Sequence, residues 1–462
     1  MKEEQALLVG NGININFGGK AYSNQFIIKR IVMNAKAGKY DRLFGGKVNG
    51  VQIERVFLGL ADLANEISSG EYDTVIGVKE QSVLEDFKRR YGKKVEHYYD
   101  VGLEDWLFIL HAFFLKNEDL QNDWIPAKQG FERMMLDAIY NDGDIQNIYK
   151  TVKKPVKKWL CQFDEIFTLN YDNNIEHLTK KSVFHLHGDY TTPANSENPN
   201  TLLGYIRAKQ NKGVVIEGFE HCYCNALFDY TGEHKLQMAE AFRIGKEGIK
   251  NLAERNIEDE KIPDAMKDLL QAYREHPEYE LGSDYHFSDF RALNGELHII
   301  GMSPNNDSHI FKLIDEGNIE KVVFYFYSES EKKQKLPIHQ TVEYRSAREL
   351  WRSLKALPQQ YNCHYTIPNL PEVDAIFNTF NLLSGDPISK VDAIKEINSI
   401  PQFRANELSA KVKQELKKQS KSPSPKSEAE LLQQCYEISR IALRNGIQPV
   451  VLYLLYIMNR SK

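Results

Sequence analysis

Apolar positions along this chain recur at two spacings. Short runs of two to seven residues stand at Ala6-Leu7-Leu8-Val9, at Ile166-Phe167, at Val183-Phe184, at Leu297-His298-Ile299-Ile300 and across positions 321–327. Runs of this length, bounded by Gly, Asn, Ser and Asp, predict strands, and their near-continuous apolar character predicts a parallel sheet covered on both faces. Between them the spacing lengthens to that of helices. Ile53, Val56, Phe57, Leu60, Leu63 and Ile67 fall on one face, and further helices are expected near 103–115, 131–140 and 145–160. A second helical block, about 236–273, carries Met238, Phe242, Ile249 and Leu252 as its buried stripe. The aromatic residues Trp106, Phe108, Phe113 and Phe114 are expected in the core, with Glu104 and Asp105 either lining a pocket or, as the favoured reading, on a solvated helix face.

The alternation predicts an α/β, Rossmann-like parallel sheet over residues 1–330, interrupted by helical insertions at about 45–160 and 205–290. A mainly helical region, 331–462, is expected after it, with a basic Ser/Pro linker near 417–427. Leu202-Leu203-Gly204-Tyr205 is expected as another strand end, and the run at 321–327 as a strand near the sheet edge. The closing segment 431–459 has helical spacing. Its stretch 450–458 is apolar nearly all round, too short to span a bilayer and expected to be buried against the domain or another chain.

Composition narrows the class. With 59 basic and 64 acidic residues the net charge is −5, so neither nucleic acid nor an anionic membrane is indicated as a partner. The five cysteines (161, 222, 224, 363 and 435) are few, odd in number and unevenly spaced, which fits a reducing cytosol. No uncharged apolar run nears ~18 residues, and acidic residues precede the first strand, so a cytoplasmic protein without a membrane span is expected.

The candidate chemistry collects at strand ends, where ligands of open α/β sheets bind. The first strand runs into Gly10-Asn11-Gly12-Ile13-Asn14, whose missing Cβ atoms allow close approach to a phosphate or ribose. The second ends in Thr168-Leu169-Asn170-Tyr171-Asp172, the third in His185-Leu186-His187-Gly188-Asp189, and a fourth in Gly301-Met302-Ser303-Pro304-Asn305-Asn306-Asp307. Asp307 is expected either as a helix N-cap or, with Ser303, as a ribose or adenine contact. His185 and His187 share a side of the strand if it continues, and His185 is expected as a core histidine. His221-Cys222-Tyr223-Cys224 has no second ligand pair at zinc spacing, so no metal is expected.

Taken in this order, the strand ends resemble those of SIR2-like proteins, relatives of the sirtuins. Thr168-Leu169-Asn170-Tyr171-Asp172 resembles their T-x-N-Y-D motif, His187-Gly188 their catalytic His-Gly, and Gly301-x-Ser303 with Asp307 the late G-x-S-x-x-D element. The opening Gly10-Asn11-Gly12-Ile13-Asn14 is similar to G-A-G-x-S, with Asn14 in place of serine, and also to the G-N-G start of AbiH-type abortive-infection proteins. Sirtuin deacylases usually carry two C-x-x-C pairs, and this chain has none; the long helical insertion instead resembles the SIR2-like effectors of bacterial antiphage systems.

The resemblance implies an NAD+ hydrolase that releases nicotinamide and ADP-ribose in abortive infection, gated by self-assembly into a homo-oligomer or by a separate sensor protein. Asn170 and His187 are the implied catalytic residues. Gly10, Asn11, Gly12, Asn14, Thr168, Asp172, Gly301, Ser303 and Asp307 are the implied NAD contacts. His187, with an ordinary pKa of about 6.5, suits a general base, and Asn170 suits positioning of the ribose or water. Asp172 suits fixing the loop or supporting the imidazole. The alternative is a catalytically silent subunit that binds NAD, ADP-ribose or another nucleotide; a deacylase ranks third.

Overall fold

A computed structural model describes residues 5–195, 198–210, 215–227, 232–254, 263–305, 307–356, 371–384, 387–418 and 427–460. Six parallel strands form one sheet: β1 (Gln5–Val9), β2 (Glu165–Thr168), β3 (Phe184–His185), β4 (Asn294–Ile300), β5 (Asn318–Phe326) and β6 (Thr341–Ser346). Their order is β3-β2-β1-β4-β5-β6. This is the order of dinucleotide-binding sheets, in which the direction of strand addition reverses between the first and fourth strands. The fold is α/β and Rossmann-like, as its apolar runs predict.

The central strands are apolar throughout because both faces are covered. Ala6 and Leu8 enter one core with Phe167, Leu297, Ile299 and Phe324. Leu7 and Val9 enter the other with Ile166, Val323, Trp159 and Trp351. Alternate residues of one strand thus serve opposite faces, as the pleat requires. Trp106 and Phe108 are core residues, as expected, and Phe113 is half-buried.

The 321–327 run forms β5, near the sheet edge as expected, with the unexpected β6 outside it. Thr341, Glu343 and Arg345 alternate with half-buried Val342 and Tyr344, so this edge strand lacks the apolar run that marks its neighbours; Lys321, Glu343 and Arg345 form ion pairs along it. One expectation is corrected: Leu202-Leu203-Gly204-Tyr205 is no strand end but begins a helix, Leu202–Lys209, because Thr201 caps it by accepting from the Gly204 amide.

Two compact units are present: Met1–Phe17 with Gly59–Ala356, and Gly18–Leu58 with Leu357–Lys462. The helix Gly50–Ser69 carries the border within it. The second unit is therefore built from two distant segments. Within it the helix Asn24–Lys36 packs Phe26 and Met33 on Leu443, while the buried Arg30 guanidinium donates to the carbonyls of Leu443 and Ala21, both at 3.1 Å. The apolar helix Pro449–Arg460 supplies the centre of that unit's own core: Val450, Val451, Leu452, Leu454 and Leu455 are buried against Phe380, Ile397, Leu408 and Ile438. The apolar stretch at 450–458 is thus covered by its own unit and is no free patch for self-assembly. Most of the Ser/Pro linker, 419–426, lies outside the described residues. Among the described residues no single helix is long and apolar enough to cross a membrane.

Candidate active site

The strand register brings four loops to one end of the sheet. Val9 pairs with Thr168 and with Ile300, and Thr168 pairs with His185. Gly10, Gly301, Asn170 and His187 therefore all lie one or two residues past paired positions at the carboxyl edge.

At the reversal point the glycines are spent on each other. The amides of Gly10 and Gly12 donate to the carbonyls of Ile300 and Gly301, each at 2.8 Å. A Cβ on Gly10 would stand 2.6 Å from the Gly301 oxygen, and one on Gly12 2.6 Å from Gly301 Cα. Gly301 has φ +76°, a conformation that favours glycine. The close approach expected toward a phosphate is here an approach of two backbone loops, and these two amides already have acceptors. Asn11 is exposed, its carbonyl accepting from Ile15.

The next layer is a hydrogen-bonded frame. Thr168 Oγ1 donates to Val9 O at 3.1 Å and accepts from the Asn170 amide at 3.0 Å. Asp172 accepts from Asn14 Nδ2 at 2.6 Å and from the amide and side chain of Asn174 at 3.1 and 2.5 Å. Asp172 thus ties the Asn170 loop to the helix Gly12–Gly18, a fixing role rather than a contact to an imidazole. Asn14 Oδ1 is buried and faces no donor among the described residues. Ser303 Oγ accepts from the Asn305 amide at 3.3 Å.

The strand β3 ends at His185, so the period-2 argument does not extend to His187. His185 contacts Asn170 O through Nδ1 at 2.9 Å and Glu176 Oε1 through Nε2 at 2.6 Å. Burial opposes its charge, yet the hydrogen bond and charge of Glu176 outweigh it and raise the imidazole pKa. His185 is a buried ion-pair partner that props the Asn170 loop. Gly188, at φ +80°, lets the turn pass Asn225, where a Cβ would meet the Asn225 oxygen at 2.5 Å. Asp189 closes the turn by accepting from the Thr191 and Thr192 amides at 2.6 and 2.9 Å.

His187 stands in a different setting. Its Nε2 is 3.0 Å from His309 Nε2 and 3.7 Å from Asp307 Oδ1, and its Nδ1 is 4.0 Å from Glu104 Oε1. The two rings stack with centroids 5.1 Å apart. Lys235, buried in the helix Gly232–Glu254, donates from Nζ to His187 O at 2.9 Å. Burial first, then the charge of Lys235, hold His187 well below the ordinary imidazole range and push His309 down to about 3. Both rings are neutral at pH 7. Asp307 is at the N-cap position of the helix Ser308–Glu316, with φ 58°, but its side chain makes no cap hydrogen bond. Burial, then the charge of Glu104, push its carboxyl up to about 7.

Glu104 reaches this cluster because its neighbour is locked. Asp105 accepts from Arg90 at 2.5 Å and from Tyr91 Oη at 2.6 Å, which fixes the first turn of the helix Leu103–Lys116. Glu104 accepts from Tyr171 Oη at 3.4 Å, and burial raises its pKa. The expected solvated face is corrected: Asp105 is buried and Glu104 borders the site. His309 and Lys235 were missed as site residues, although His309 stands two positions after Asp307; for Glu104 the pocket-lining alternative is the one that fits.

Beside His185 a polar cavity of about 460 Å³ is lined by Glu176, Asp189, Asn225 and Ser283, among others; His187 and Asp307 do not line it. Its volume falls in the range of small-molecule sites. In the His221–Cys224 stretch, His221 contacts Asp137 at 3.1 Å and Cys222 Sγ the Arg133 carbonyl at 3.4 Å. No protein family, curated protein or solved structure matches the chain.

Proposed function

We propose that the protein is an NAD+ glycohydrolase releasing nicotinamide and ADP-ribose, and that it acts as a gated effector of abortive infection against phage. The observation that carries this reading is the neutral His187 beside two carboxylates, Asp307 and Glu104, with Asn170 on the neighbouring strand end at the carboxyl edge of the sheet. Cleavage of the nicotinamide–ribose bond develops oxocarbenium character, as glycoside cleavage does, and an adjacent carboxylate stabilises it. His187, neutral at pH 7, accepts the proton of the attacking water or ribose hydroxyl. Where His187 Nε2 carries the proton shared with His309, the lone pair on Nδ1 is the one that accepts that of the water or hydroxyl. Asn170, held by Thr168 and His185, positions the ribose or the water.

The test is nicotinamide release from NAD+ by purified full-length protein, alone and with proteins encoded beside it or infected-cell extract. Cleavage by the wild type that is lost in Asn170→Ala and His187→Ala is the expected result. NAD+ binding without release under every condition would overturn the hydrolase reading in favour of a nucleotide-binding subunit.

A further inference from the structure

We propose that His187 Nε2, His309 Nε2 and a carboxylate oxygen of Asp307 form a binding site for one divalent transition-metal ion of the zinc class. Among the described residues these three donor atoms lie within 4.8 Å of one another, with both imidazoles buried. Zinc–nitrogen bonds are about 2.0–2.1 Å long, so two imidazoles on one ion at angles of 90–110° stand about 2.9–3.4 Å apart. The observed Nε2–Nε2 separation is 3.0 Å, and Asp307 Oδ1 lies 3.7 Å from His187 Nε2. An ion therefore fits with little movement of the rings.

The donor set fits as well as the spacing. Two imidazoles and one carboxylate leave further positions open, the arrangement of catalytic rather than closed structural metal sites. A hydrogen bond between the two rings would account for the histidines alone. It would leave unexplained why Asp307, in a left-handed conformation at a helix N-cap, withholds its carboxylate from the cap and faces the rings instead. Glu104, 4.0 Å from His187 Nδ1, supplies the outer carboxylate that commonly orients a metal-bound imidazole. The inference runs against the absence of a metal expected from the cysteine spacing, because the ligands come from two stretches of chain without cysteine: the turn after β3, with His187, and the start of the helix Ser308–Glu316, with Asp307 and His309.

The proposal does not depend on the hydrolase reading, since metal uptake is measured with no NAD present. Where both hold, the ion would occupy the His187 lone pair and silence cleavage.

The experiment is titration of chelator-stripped full-length protein with Co2+, read by its d–d absorption, and with Zn2+ by calorimetry. One equivalent is expected, with affinity reduced by more than roughly 10-fold in Asp307→Asn and His309→Ala, since even outer partners of a metal site contribute that much. The ring of His309 packs on Gly232, so Asp307→Asn, which keeps side-chain volume, guards against a folding defect. His286→Ala removes the exposed Asp284–His286–Asp289 group and should leave binding unchanged. Absence of uptake, equal affinity in Asp307→Asn, or loss of the bound equivalent in His286→Ala would each overturn the proposal.

Discussion

His185 and His187 are two residues apart, both buried, and chemically opposite. His185 is held by a carboxylate and a carbonyl and is stabilised in its charged form. His187 faces another imidazole and a buried lysine and is stabilised in its neutral form. The difference arises because β3 stops between them: His185 stays beside Glu176, and His187 meets His309 of the helix Ser308–Glu316. The two histidines thus divide into a prop and, on the proposed reading, a base. Neighbours decide the role, and sequence spacing does not.

The largest effect that would test this division is on turnover. His187→Ala should lower kcat/KM for NAD+ cleavage by roughly 10²–10⁴-fold, the usual contribution of a general base. His185→Ala should act through Asn170 and reduce the rate less. Equal losses in the two variants, measured as nicotinamide release, would erase the distinction.

A smaller effect concerns stability. Removing the His185 ring leaves Glu176 and the Asn170 carbonyl without their partner, at a cost of about 2 kcal/mol by the usual worth of hydrogen bonds to charged groups. All four tryptophans (106, 124, 159 and 351) lie in the sheet-bearing unit, so selectively excited tryptophan fluorescence during urea unfolding follows that unit alone. A midpoint for His185→Ala equal to that of the wild type would contradict the propping role.

Asp307 sharpens the comparison from the other side. With its carboxyl pushed up to about 7, NAD+ cleavage by metal-free protein should rise with pH through about 7 as the carboxylate forms. Asp307→Asn should flatten that limb and lower the plateau. A limb that survives the substitution belongs to another group.

How much of this was legible follows from the same physics. The strand ends and their order were, because a parallel strand buried on both faces is a short apolar run with few alternatives. Strand β6 was not, since an edge strand that alternates Thr341, Glu343 and Arg345 with half-buried residues lacks that run. Gly10 and Gly12 announced a close approach but not its object, which is Gly301. Glu104 and Lys235 lie on helices whose charge spacing resembles any solvated face, and only tertiary packing turns them toward His187. The second unit joins the helix Asn24–Lys36 to segments hundreds of residues later, and no local pattern encodes that.

The smallest effect tests the opposition of the two histidines by sign. For His185 the folded pKa is above the unfolded value of about 6.5. Its contribution to stability is therefore full below pH 6.5 and is lost as pH rises through the raised folded value. For His187 the folded pKa is depressed, so the unfolded chain binds the proton more readily. Its effect is to weaken the fold as pH falls below 6.5. Replacing each by glutamine and subtracting from the wild type isolates the two terms in metal-free protein. The wild-type advantage over His185→Gln should shrink from pH 6 to pH 8, while that over His187→Gln should shrink from pH 7 to pH 5. Each slope is bounded by about 1.4 kcal/mol per pH unit for a single proton. Two difference curves with the same sign would mean that both rings have one electrostatic setting, and the separation of prop from base would fail with them.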